Sequence, residues 1–87
     1  MSYIIAVFRS RNETLYFANM FRGNSLPFMV INTPKEAGEA CGVSVRFSEN
    51  YLPVAKQFLA SKPFRAFSGF YRIFVHNGRN SVERIYA

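Results

Sequence analysis

Cys41, the single cysteine of this chain, is a candidate for covalent chemistry. It sits in the run Glu39-Ala40-Cys41-Gly42-Val43-Ser44-Val45-Arg46-Phe47, at the mouth of a predicted strand. A lone cysteine cannot close an intramolecular disulfide and cannot by itself build a closed zinc site. Three uses remain: a small core residue, an intermolecular bridge or a reactive thiol. A cysteine beside Val43 and Val45 reads most simply as a small buried hydrophobe. A reactive thiol has stricter needs. It must be deprotonated, so it requires positive charge or backbone N–H groups nearby, and some exposure. Gly42 leaves the backbone beside the sulfur bare, and Lys35 and Arg46 are near in sequence, but Glu36 and Glu39 are equally near and oppose thiolate formation.

No enzyme constellation accompanies the thiol. His76 is the only histidine and falls in a predicted turn, where it reads as a solvated surface residue rather than a base. The acids Glu13, Glu36, Glu39, Glu49 and Glu83 have no pairing spacing, and there is no aspartate. No phosphate loop or metal-ligand pattern appears, so no metal or cofactor is expected. The stretch Phe67-Ser68-Gly69-Phe70-Tyr71-Arg72-Ile73-Phe74-Val75 is rich in rings. It lacks the order of basic, glycine and aromatic residues by which a four-stranded sheet stacks RNA bases, and core packing explains the rings better.

The elements that must position Cys41 follow from patterning. With 87 residues, 49% apolar, and ten phenylalanines, the chain can build one modest, ring-rich core. Tyr3 to Phe8 is an apolar run suited to a strand buried on both faces. Ser10 and Glu13 have capping-box spacing for a helix that carries Leu15, Phe17, Ala18 and Phe21 inward and leaves by a left-handed residue near Gly23 and Asn24. Leu26 to Ile31 reads as a second strand with Pro27 near its start. Lys35 to Ala40 is a loop with room for one helical turn. Val43 to Phe47 is a third strand, with Val43, Val45 and Phe47 on its buried side and Ser44 and Arg46 on its polar side.

Ser48 can cap a second helix, with Glu49 in its first turn and Leu52, Ala55, Phe58 and Leu59 as its apolar stripe. Phe67 to Val75 is a fourth strand. Asn77-Gly78 is a turn signal, and Val82 to Tyr86 can return as an edge strand. The order βαββαβ predicts an α+β, ferredoxin-like domain: a four-stranded, mainly antiparallel sheet with two helices on one face. Residues 1–75 form that domain, and 76–87 are its C-terminal tail or an added edge strand. Hairpin loops commonly run about 2–5 residues, so the Thr33 to Gly42 connection is long, and surplus loop often carries function. Cys41 lies at its end.

The net charge of +6 favours an acidic partner, but the cations are scattered and form no basic tail, so nucleic acid is not the expected partner. No signal peptide or membrane span is visible, and one thiol suits a reducing cytoplasm.

The segment from Thr33 to Phe47, preceded by Tyr3-Ile4-Ile5-Ala6-Val7-Phe8 and a helix, resembles a family of small bacterial proteins described as selenium/sulfur carrier-like. The hallmark positions are Pro34, Cys41, Gly42, Arg46 and Phe47, and the resemblance covers about Tyr3 to Lys62 with the Gly69-Phe70-Tyr71 stretch. It implies that Cys41 accepts sulfur or selenium as a persulfide or selenopersulfide and passes it between a donor and an acceptor protein. Gly42 then gives access, and Arg46 and Lys35 hold the anion or contact the partner. Two other readings stay open. One is a non-catalytic module that binds an acidic protein or RNA through its basic surface. The other is a homodimer formed through the C-terminal strand.

Overall fold

The computed structural model describes residues 1–38 and 42–86. At its centre is β1 (Ser2–Phe8), whose residues Ile4 to Phe8 are all fully buried. An apolar run without alternation needs cover on both faces. The fold supplies it by placing β1 in the middle of the sheet, with antiparallel neighbours β3 (Val43–Phe47) and β4 (Phe67–His76). β2 (Met29–Asn32) pairs with the outer side of β3, and β5 (Arg79–Tyr86) with the outer side of β4. The sheet order is β2-β3-β1-β4-β5, antiparallel throughout. The tail is thus a full strand, and the four-strand count becomes five. Asn77 and Gly78, both at positive φ (50° and 74°), make the tight turn that returns it.

Helices α1 (Arg11–Gly23) and α2 (Leu52–Ala60) cover the face formed by Ile4, Ala6, Phe8, Val45, Phe47 and Phe70. Ser10 caps α1, its side chain accepting a hydrogen bond from the Glu13 backbone N–H. The Glu13 carboxylate does not complete a capping box. It accepts instead from the backbone N–H groups of Arg65 (3.0 Å) and Ala66 (2.9 Å), which ties the entry of β4 to the first turn of α1.

The inward residues of α1 are Thr14, Phe17, Ala18 and Phe21, and Leu15 lies outside, 37% exposed. The reason is angular. At about 100° per residue, Leu15 stands roughly 200° around the helix from Phe17. The left-handed residue after α1 is Ser25 (φ 56°), not Gly23 or Asn24. β2 begins at Met29 rather than Leu26; Leu26 and Phe28 still pack against the core edge from the loop before it. Ser48 caps a 3-10 turn at Glu49–Tyr51, and α2 starts only at Leu52, with Pro53 in its first turn where no N–H is needed.

The opposite face carries a smaller cluster of Ile5, Val7, Tyr71 and Ile73. A 3-10 turn at Lys35–Ala37 lies over it and buries Ala37 to 2% exposure. The length of the β2–β3 connection therefore has a structural use: it crosses the sheet and reaches β5.

Candidate functional site

Cys41 lies outside the described residues, so the structure defines the frame around it. β2 delivers the chain to Thr33 and Pro34, and β3 takes it up again at Val43. The base of the loop is closed by two contacts. The Thr33 backbone N–H donates to the Gly42 carbonyl at 3.0 Å. The hydroxyls of Thr33 and the fully buried Ser44 stand 2.6 Å apart, and either can donate. Ser44 is thus not on a solvated face, as strand alternation predicted; the loop and sheet bury it.

Gly38 (φ 82°) and Gly42 (φ 98°) bracket the segment that contains Cys41. Both adopt backbone angles that L side chains rarely take, and a Cβ at either would meet nothing within 4 Å. Glycine is required there by the backbone and not by crowding. Gly42 is exposed.

The other two expected site residues are separated. Lys35 is exposed on the 3-10 turn, beside the exposed Glu36. Arg46 lies four residues along β3 from Gly42, a distance of about 13 Å at strand rise. Its guanidinium sits 3.9 Å from the centre of the Tyr3 ring, a cation–π contact on the face opposite the helices. Lys35 and Gly42 share the loop; Arg46 belongs to the far end of the strand.

Sequence reasoning missed a cleft of about 280 Å³ at that end, lined by Tyr3, Phe28, Met29, Arg46 and Ser48 among others. Nothing in the local sequence announces it, because it arises only when the order β2-β3-β1 brings three distant segments together. Arg22 stands over Phe28 at 5.2 Å, so a second cation borders this region.

On the helix-covered face Arg72 bridges Glu49 (2.6 Å) and Glu83 (2.7 Å). Hydrogen bonding from Arg72 is the main reason the Glu49 carboxyl is held below the usual carboxylate range. This network ties the 3-10 turn before α2 to β4 and β5. His76 ends β4, exposed and in register with Arg79. Among the described residues no group of three His, Cys, Asp or Glu could hold a metal ion, and no helix is long and apolar enough to cross a membrane.

Residues 3–72 fit the family described as Putative Se/S carrier protein-like, and the chain belongs to that family. The match runs from β1 into β4, takes in both Tyr3 to Lys62 and the Gly69-Phe70-Tyr71 stretch of the resemblance seen in the sequence, and leaves β5 outside. No curated protein matches the chain. No solved structure matches it either.

Proposed function

We propose that the protein is a small cytosolic carrier of sulfur or selenium, holding the atom on Cys41 for transfer to a partner protein. The observation that carries this reading is the family match over residues 3–72, which contains the only cysteine of the chain. The transfer is redox-neutral. The Cys41 thiolate attacks the outer sulfur or selenium of a donor persulfide or selenopersulfide, the donor's bond breaks, and the donor leaves as a thiolate. Attack by an acceptor thiolate on the outer atom then regenerates the Cys41 thiolate. The protein is a carrier with no further catalytic group, working as one domain from β1 to β5.

The frame suits this role. Both glycines flanking the segment are open to approach, and Lys35 offers a cation on the same loop. In this reading Lys35 and Gly42 serve the thiol, while Arg46, at the other end of β3, contacts the partner. The fold we assign is ferredoxin-like. The sub-order β2-β3-β1-β4, with both helices on one face, supports it, and β5 extends the sheet beyond β4.

Alkylation kinetics test the reading. Cys41 in the folded protein reacts with iodoacetamide at neutral pH at least as fast as an unstructured cysteine peptide. A thiol that reacts only after denaturation defeats the proposal.

A further inference from the structure

The two edges of the sheet differ in kind. β5 carries Arg79, Glu83 and Arg84 along its length, and charged side chains discourage strand addition. That weighs against a dimer formed through the C-terminal strand. β2 carries no charge at all: its residues are Met29, Val30, Ile31 and Asn32, with Met29 57% and Val30 42% exposed. It is the outermost strand, so one side of its backbone is unpaired among the described residues.

The register says which groups are free. The Thr33 N–H points inward to Gly42. Backbone groups alternate along a strand, so Ile31 and Met29 also point toward β3, while Val30 and Asn32 present N–H and C=O to the open side. Pro27 and Pro34 mark the two ends of this accessible stretch.

The surroundings are positive. No acidic residue occurs from Arg22 to Lys35 or within β3. Arg22 lies over Phe28 just before β2, and Arg46 pairs in register with Met29 and faces the 280 Å³ cleft at the start of the strand. Glu49, which reaches Ser2 at the rim of that cleft, is already engaged by Arg72. A second copy of this chain would bring another +6 to the same edge. An acidic segment would be drawn to it.

We propose that β2 is a docking edge for an extended, acidic segment of a partner protein, which adds to the sheet as a sixth strand. Its backbone pairs with Val30 and Asn32, its acidic side chains meet Arg22 and Arg46, and its apolar side chains cover Met29 and Val30. The inference does not rest on chemistry at Cys41, although the added strand runs beside Asn32, whose register partner Val43 is two residues past the cysteine.

The probe is a fluorescent ten-residue peptide of paired residues, Glu-Glu-Val-Val repeated, because a strand alternates its faces and Arg22 and Arg46, like Val30 and Met29, lie on opposite faces of the sheet. Three companions go with it: the same peptide with lysine for glutamate, one N-methylated on its two central residues, and the Val30→Pro protein. Proline at 30 removes an outward N–H that the β2–β3 ladder does not use. The acidic peptide binds and slows amide exchange at Val30 and Asn32. The lysine peptide does not bind. N-methylation, and separately Val30→Pro, each weaken binding by roughly tenfold or more, the effect of one or two lost backbone hydrogen bonds. Cys41→Ser leaves binding unchanged, so failure here is distinct from failure of the carrier reading. Four results overturn the proposal: no binding at millimolar peptide, equal binding of the N-methylated peptide, protection elsewhere on the surface, or concentration-dependent self-association that protects the same two amides.

Discussion

Thr33 and Ser44 share a hydrogen bond 2.6 Å long at the base of the loop that contains Cys41, and Ser44 is fully buried. Removing one hydroxyl leaves the other without its partner. Thr33→Val strands the Ser44 hydroxyl and should cost about 1–3 kcal/mol in urea unfolding. The double variant Thr33→Val with Ser44→Ala should cost less than the sum of the two single changes, because the stranded polar group is gone.

The Glu49–Arg72 pair sets an acid dependence. Glu49 has its folded pKa depressed by hydrogen bonding from Arg72, so its contribution is present above the unfolded carboxylate range. It is lost as pH falls through the folded value. Thermal melts should show wild type above Glu49→Gln at pH 7, with the gap closing toward pH 3. The gap at pH 7 should also shrink with added salt, since both side chains are partly exposed.

Glu13 joins segments more than fifty residues apart by accepting from the N–H groups of Arg65 and Ala66. Glu13→Ala leaves both donors to water and should destabilise by about 1–3 kcal/mol. Glu13→Gln retains one oxygen acceptor and should cost less. Amide exchange at 65 and 66 should accelerate in the alanine variant before the core opens.

Phe17 stands at the centre of the ring cluster, with ring centroids of Phe8 at 5.3 Å, Phe21 at 5.6 Å and Phe64 at 5.9 Å. Phe17→Ala should cost about 3–5 kcal/mol, and Phe17→Leu markedly less, because leucine fills most of the cavity. Chemical denaturation with near-ultraviolet circular dichroism would report both the stability and the loss of ordered rings.

Most of the frame was legible in the sequence because strand and helix periods are local signals. β1, β3 and the Asn77-Gly78 turn fall where patterning puts them. Ser44 was misplaced because alternation says which side of a strand a residue faces, not whether a loop covers that side. The crossing of Lys35–Ala37 over the second face depends on Ala37 finding Ile5, Val7 and Tyr71, which no local pattern encodes. Arg46 is only four residues from Gly42 along the chain, yet strand rise separates the two, and the Tyr3 ring takes its guanidinium. The cleft and the open β2 edge became visible only with the strand order.

The most direct test of the carrier account is sulfur uptake by the folded protein. Wild type and Cys41→Ser are incubated with glutathione persulfide, desalted without reductant and weighed intact. The account predicts that wild type gains one sulfur atom, that dithiothreitol removes it, and that Cys41→Ser gains none. Folded wild type that stays unmodified, while the urea-unfolded chain takes up sulfur, would contradict it and return Cys41 to a packing role.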